Sequence, residues 1–221
     1  MNYATSANYL RSADTFAGQM NRALAEALAE DPNVVVCGQL VRYGVAGLTT
    51  GLYEKYADRF ITYSVSEALM NSSAMGLALA GKRVVMYHVR MDFLLCGMDA
   101  LFNHINVWTV KGHKLPITMV CQVGKGMGQG PQHSKNLTAW FEMAEGWRTI
   151  VPSNPQEAYW MLKSSILSDH PTMFVAHREL FDAPARGRRE PGAPAGGHGT
   201  GPCIGDRGLD AARLGGGDDH G

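Results

Sequence analysis

Two hydrophobic periods alternate along the chain. Apolar side chains first recur at helical spacing, at Phe16, Met20, Leu24 and Leu28. They predict a helix that begins near Asp14 and ends at Asp31-Pro32-Asn33. Short apolar runs predict strands at residues 34–37, 60–65, 84–89, 117–123, 149–151 and 173–176. Helices are predicted after Ser66 and at residues 94–110, 136–144 and 155–167. Because strands and helices alternate throughout, the sequence predicts an α/β fold, a three-layer α/β/α sandwich with a mostly parallel sheet.

The junction between the second strand and its helix is the most informative stretch. Ser66 is a helix N-cap by residue type, and Glu67 follows in the first helical turn. This position is at the carboxyl end of a strand, where α/β sheets bind their ligands. A first-turn Glu commonly serves only to complement the helix dipole. Burial would raise the pKa of Glu67 and the dipole would lower it, so a structural and a catalytic interpretation both stay open.

Composition limits the possible functions. The 221 residues carry 20 basic and 20 acidic side chains, so no global charge favours nucleic acid or an anionic membrane. No apolar run is long enough to span a bilayer, and the first residues lack the apolar centre of a signal peptide. We therefore expect a cytoplasmic protein with neither a nucleic-acid nor a membrane partner.

The four cysteines are scattered and show no close pair with metal-ligand spacing, and we predict no metal ligands on this chain. Cys37, Cys96 and Cys121 lie in apolar runs and are expected to be buried, reduced thiols.

The composition also predicts three segments. Residues 1–13 are polar and are expected to form a flexible lead-in, and residues 14–182 form the domain. Residues 183–221 are rich in Gly, Pro and Arg and contain no aromatic side chain. Such a tail cannot bury enough apolar surface to offset its ordering entropy, and we expect it to be disordered.

Two further positions have competing interpretations. The glycine-rich run at residues 124–130 lacks the context of a nucleotide-binding loop and fits a flexible lid better. His133 follows it, and a lone loop histidine is commonly just solvated. Phe93 comes directly after the third predicted strand, where core packing is the ordinary role of a phenylalanine.

The segment SEALMNSSAMGLALAGKRVV, which contains Glu67, resembles the cofactor-activating segment of thiamine-diphosphate enzymes of the transketolase-like superfamily. The resemblance extends from about Thr15 to about Leu180 through several blocks in the same order. It is strongest to the beta subunit of the decarboxylating component of 2-oxo acid dehydrogenases. It implies the pyrimidine-binding type of thiamine-diphosphate-binding domain.

The resemblance implies a role for several residues. Glu67 would donate a hydrogen bond to the pyrimidine ring of thiamine diphosphate and so promote loss of the proton from the thiazolium carbon. Phe93 would stack on the pyrimidine, and His133 would lie by the reacting centre. Leu40 and Met91 would line the same pocket. Relatives commonly carry an acid just after the first glycine of the loop at residues 38–56, where this chain has Gln39.

The same resemblance implies a partner subunit. Such enzymes hold the diphosphate through Mg²⁺ bound by a Gly-Asp-Gly motif and a later Asn, and this sequence lacks that motif. An alpha-type subunit is therefore expected to hold most of the Mg²⁺ and diphosphate, in an α2β2 assembly. A lipoyl acyltransferase is a possible further partner. A second α/β domain commonly follows in the family, and the tail does not resemble one, which fits either a single-domain variant or a truncated or shifted coding sequence.

The function implied is decarboxylation of a 2-oxo acid and transfer of its acyl group. Two alternatives stay open: carboligation or transketolase-like two-carbon transfer with the same cofactor, and a non-catalytic remnant subunit. The missing second domain, Gln39 and the tail favour the remnant, whereas the joint presence of Glu67, Phe93 and His133 opposes it.

Overall fold

The computed structural model describes residues 12–124 and 130–185. Most of the lead-in, most of the tail with Cys203, and the centre of the glycine-rich run lie outside the described residues. The predictions for those segments stay predictions.

The centre of the fold is a six-stranded sheet with strand order β2-β1-β3-β4-β6-β5. The strands are β1 Val34–Gly38, β2 Phe60–Thr62, β3 Arg83–His88, β4 Ile117–Val123, β5 Arg148–Ile150 and β6 Thr172–His177. Every pairing in the sheet is parallel. The predicted α/β class with a mostly parallel sheet is confirmed.

Helices cover both faces of this sheet. They are α1 Phe16–Glu30, α2 Glu67–Leu79, α3 Val107–Val110, α4 Thr138–Glu142 and α5 Pro155–Leu167. Thr15, Ser66 and Asn154 cap α1, α2 and α5 with side-chain oxygens that accept backbone N–H groups. These caps satisfy amide donors that have no partner within the helix.

Alternate residues of the strands belong to two separate hydrophobic clusters. One joins α1 and α5 to one face and includes Phe16, Leu24, Val36, Tyr87 and Leu162. The other joins α2, α4 and the segment at residues 91–110 to the opposite face and includes Val35, Cys37, Met70, Met86 and Leu101. All residues of β1 and β4 are buried, as expected for strands that are covered on both faces.

The prediction of one regular helix at residues 94–110 is wrong. The segment is a 3₁₀-helix at Met91–Gly97, a π-helix at Ala100–Asn106, and only then the short α3. Within this segment, the backbone at Gly97 lies directly against α2. Local periodicity cannot predict such a change of helix type.

Several smaller expectations need correction. The second strand ends at Thr62, because only three residues of this edge strand pair with β1, and Val65 is 81% exposed. Helix α4 is shorter than predicted, and the loop at residues 38–56 forms 3₁₀ turns. Cys37 and Cys121 are buried, but Cys96 is exposed.

The boundary with the predicted tail also moves. Thr15 forms an antiparallel bridge with Pro184, and the Phe16 amide donates to the carbonyl oxygen of Ala183. These contacts attach residues 183–185 to the start of α1, so they belong with the domain.

Among the described residues, no helix has the length and apolar character needed to cross a bilayer. The cytoplasmic location stays a prediction.

Candidate active site

The predicted site residues follow neighbouring strands at one edge of the sheet. Gln39 and Leu40 follow β1, Glu67 follows β2 after a short loop, and Phe93 follows β3. Parallel strands bring their carboxyl ends to the same edge, and β1 lies between β2 and β3. The chain changes direction across the sheet between β1 and β3, and such a switch point is where open α/β sheets form their ligand crevices.

Glu67 lies in the first turn of α2, as predicted. Ser66 caps this turn with an Oγ that accepts the amide of Leu69 at 3.4 Å. The Glu67 residue is only 8% exposed. The site therefore contains a largely buried carboxylate at a helix N-terminus, where backbone N–H groups and the dipole favour negative charge.

The side chain of Gln39 contacts that carboxylate directly. Its Nε2 donates a hydrogen bond to Oε1 of Glu67 at 3.0 Å. Oε2 of Glu67 has no hydrogen-bond partner among residues 12–124 and 130–185. Sequence reasoning treated Gln39 only as a departure from the family pattern and missed this contact, since the two residues are 28 positions apart.

Phe93 and His133 form the second contact of the site. Their rings meet edge to face, with centroids 5.2 Å apart and an interplanar angle of 74°. Nδ1 of His133 is buried and has no hydrogen-bond partner in the described part of the chain. The structure thus brings together two residues that the sequence could place only on separate loops.

Asp92 holds the segment that carries His133. Its Oδ1 accepts the backbone amide of Lys135 at 2.9 Å, and the Lys135 ammonium lies 3.5 Å from the same oxygen. Asp92 is 5% exposed, so this is a buried anchor between the end of β3 and the loop after β4. Sequence reasoning assigned no role to Asp92, although an acid beside the predicted aromatic contact was the available signal.

The two predicted pocket-lining residues differ in position. Leu40 is 44% exposed, so its side chain is free to contact a ligand. Met91 is fully buried, and its Sδ accepts the amide of Leu137 at 3.4 Å. The Met91 side chain therefore lies beneath the surface and supports the loop, and its contact with a ligand stays a prediction.

Burial changes the ionisation of other groups at this edge. His88, the last residue of β3, is fully enclosed, and this desolvation lowers its pKa to about 4. Desolvation also lowers the pKa of the Arg90 guanidinium, and the carboxylates of Asp92 and Glu179 oppose that change. His88 is consequently neutral near pH 7, as a structural histidine without assigned chemistry would be.

The described residues contain no group of three or more His, Cys, Asp or Glu side chains arranged to hold a metal ion. A groove of about 920 Å³ lies away from the site residues. Its lining includes Met98, Phe102, Val107, Val110, Trp140 and Met143. Its lining is mainly apolar and lies between α3, α4 and the π-helix.

Comparisons with known proteins identify the class of domain. Residues 15–183 match the family model described as the transketolase pyrimidine-binding domain. The chain belongs to this family.

The chain is also similar to beta subunits of several enzymes. The beta subunit of the pyruvate dehydrogenase E1 component from Chaetosphaeridium globosum is 31% identical over 166 residues, which are 72% of this chain and 51% of the relative. The beta subunit of acetoin:2,6-dichlorophenolindophenol oxidoreductase from Cupriavidus necator is 28% identical, over 73% of this chain and 52% of the relative. The beta subunit of 3-methyl-2-oxobutanoate dehydrogenase from Mycobacterium tuberculosis is 29% identical, over 76% and 50%. The chain spans about half the length of these relatives.

A solved structure described as a split gene transketolase, an inactive beta4 tetramer, matches with a TM-score of 0.62 and 18% identity. The match covers 74% of this chain and 51% of that one. This likeness supports the transketolase-type fold.

Proposed function

We propose that this chain is the pyrimidine-binding subunit of a heteromeric thiamine-diphosphate enzyme that decarboxylates a 2-oxo acid and passes on the acyl group. The observation that carries the proposal is the Glu67 carboxylate. It is largely buried at the carboxyl edge of the sheet, with Oε1 held by Gln39 and Oε2 without a partner among the described residues. Membership of the pyrimidine-binding family supports the cofactor.

The residues present fit the aminopyrimidine half of thiamine diphosphate. That group needs an acid that shares a proton with a ring nitrogen and an apolar surface for the ring itself. Oε2 of Glu67 supplies the first, and the side chains of Phe93 and Leu40, neither of which is buried, supply the second. Flat aromatic and aliphatic surfaces favour such a ring through dispersion and burial of apolar area.

Each residue then has a definite task. Thiamine diphosphate, when bound, supplies the electron sink for cleavage beside the substrate carbonyl. Glu67 would hold a proton at Oε2 against the ring nitrogen, and its burial would strengthen this contact by limiting the access of water. Phe93 keeps the ring in place, and His133 holds or moves a proton on the substrate or the acyl acceptor.

A partner subunit completes this site in our proposal. An alpha-type subunit would hold the diphosphate and supply most of the ligands of Mg²⁺, in an α2β2 assembly. A lipoyl acyltransferase is a possible acyl acceptor. Exposed apolar side chains beside Glu67 support a covering partner, since Val65 is 81% exposed, Leu69 56% and Leu40 44%. Exposed large apolar side chains next to a site commonly mark an interface when they form a patch.

Calorimetry of thiamine diphosphate with Mg²⁺ tests the proposal. The full chain is titrated alone and after co-purification with the alpha-type subunit from the same genome. Binding to the complex alone is the expected result. Tight binding to the chain alone would contradict the shared site, and absence of binding in both samples would overturn the cofactor assignment and leave the remnant subunit.

Chemistry on an acyloin is a second candidate, and the Cupriavidus necator relative, named for acetoin, favours it. The assembled enzyme can be assayed with pyruvate, 3-methyl-2-oxobutanoate and acetoin, with reduction of 2,6-dichlorophenolindophenol as the readout. Faster dye reduction with a 2-oxo acid supports the leading proposal. Turnover of acetoin without turnover of either 2-oxo acid would contradict the leading proposal and support the second candidate.

A further inference from the structure

The hydrogen bond between Gln39 and Glu67 divides the carboxylate into two unequal oxygens. Oε1 accepts the Nε2–H of Gln39 at 3.0 Å, whereas Oε2 is without a partner within residues 12–124 and 130–185. Because Glu67 is only 8% exposed, few other orientations are open to its side chain. The donor on Gln39 thus selects which oxygen stays free.

The backbone before Gln39 is fixed by its neighbours. Gly38 has φ +141°, and a Cβ there would lie 2.4 Å from the carbonyl oxygen of Tyr87 on the adjacent strand. The amide of Tyr63, which follows β2, donates to the carbonyl oxygen of Gly38 at 3.1 Å. Gln39 and Glu67 therefore extend from the same hydrogen-bonded edge of the sheet.

The residue after Gln39 is also constrained. Leu40 adopts a left-handed backbone with φ +59°, which is uncommon for a residue with a branched side chain. This turn bends the chain away from the strand direction directly after Gln39. Backbone conformations of this kind cost energy and persist where the surrounding structure fixes them.

We propose that Gln39 is a positioning residue that holds Oε1 of Glu67 and leaves Oε2 for the pyrimidine ring. This inference rests on the proposed function. A carboxamide does not titrate in the physiological range, so the proton that Glu67 exchanges with its ligand is not shared with a second acid. A Glu at the same position would place two carboxylates within hydrogen-bond distance, and one of them would retain a proton to a higher pH.

Carboxyl NMR of the full chain without cofactor tests this coupling directly. The protein is labelled with ¹³C at the Glu carboxyl carbon, and the Glu67→Gln variant assigns the signal. In Gln39→Glu the Glu67 signal should titrate in two coupled steps, one of them at least about one pH unit above the single wild-type step. Gln156→Glu is the control, because Gln156 is exposed in the first turn of α5. Identical titration of Glu67 in wild type and Gln39→Glu would overturn the proposal.

The Gln39→Leu variant removes the hydrogen-bond donor to Glu67 and keeps a side chain of similar size. In the assembled enzyme, the dissociation constant of thiamine diphosphate should rise at least about tenfold, because Oε1 of Glu67 is no longer held and Oε2 is no longer pre-positioned for the ring. Circular dichroism and thermal melting confirm that the variant is folded. If folded Gln39→Leu binds thiamine diphosphate as tightly as wild type, the positioning role is contradicted but the proposed function is not. If the wild-type complex binds no cofactor, the proposed function is contradicted, and the NMR titration still tests the contact between Gln39 and Glu67.

Discussion

Gly97 lies so close to Glu67 that a Cβ on Gly97 would be 2.9 Å from the Glu67 carbonyl oxygen. The same Cβ would be 2.6 Å from Nδ2 of Asn71 and 3.0 Å from Cα of Ala68. Nδ2 of Asn71 in turn donates to the carbonyl oxygen of Gly97 at 3.2 Å. The first turn of α2 is therefore fixed against the 3₁₀-helix that carries Phe93, and this close approach requires glycine.

Gly97→Ala should lower the free energy of unfolding by about 1–3 kcal/mol, because the added methyl group overpacks a closed contact. Chemical denaturation measures this change. Gly76→Ala in the same region is the matched control, since an exposed α2 position with no atom within 4 Å of the added Cβ should gain about 0.5–1 kcal/mol. A Gly97→Ala variant as stable as wild type would show that the contact relaxes at no cost.

Glu67→Gln should reduce turnover of the assembled enzyme by at least about 100-fold. The amide is of the same size, but it cannot exchange a proton with a pyrimidine nitrogen. Steady-state kinetics at saturating thiamine diphosphate measures the effect. Glu142→Gln, at an exposed position at the end of α4, is the charge-matched control and should leave the rate unchanged. Wild-type turnover in Glu67→Gln would exclude the proposed catalytic role.

Asp92→Ala should loosen the segment at residues 133–135 without unfolding the domain. The variant removes the acceptor of the Lys135 amide, so exchange of that amide with solvent deuterium should accelerate about tenfold. Hydrogen-exchange NMR gives this rate for single residues. Lys135→Met, which removes the 46% exposed ammonium group but keeps the backbone amide, should exchange at the wild-type rate. Equal exchange in both variants would mean that Asp92 does not anchor the loop.

Stability should fall as the pH is lowered from about 6.5 to about 4, because of His88. Burial lowers the pKa of His88 to about 4 in the folded chain, whereas an unfolded histidine titrates near 6.5. The unfolded state binds the extra proton in this window, so His88 destabilises the fold by an amount on the order of 3 kcal/mol once the pH falls below 4.

Denaturation curves at several pH values for wild type and His88→Gln measure this dependence. The variant should be less pH-dependent between 6.5 and 4.5. Burial also lowers the pKa of His170, which is half-buried. The pH dependence of His170→Gln is therefore measured beside that of His88→Gln, so that the effects of the two histidines can be separated. The proposed role of His88 fails if its replacement leaves the pH dependence unchanged.

Local sequence patterns were sufficient for most of the fold. Helix α5 and strand β4 have the bounds that the apolar periodicity and Pro155 predicted. Ser66 caps α2 as its residue type indicated. These features depend on a few neighbouring residues, so a sequence read in short windows contains the necessary information.

The sequence could not predict the contacts that shape the candidate site. Gln39 meets Glu67, and Phe93 meets His133, only because parallel strands bring loops from distant positions to one edge. No periodicity within residues 91–106 indicates the 3₁₀-helix at Met91–Gly97, the π-helix at Ala100–Asn106 or the close approach of Gly97 to α2. By itself the sequence determined the alternating elements, the caps and the family resemblance, since these depend on local residue types. Only the tertiary structure decided which oxygen of Glu67 is held, that Met91 lies beneath the surface, and that Cys96 is exposed, since these depend on packing between distant segments.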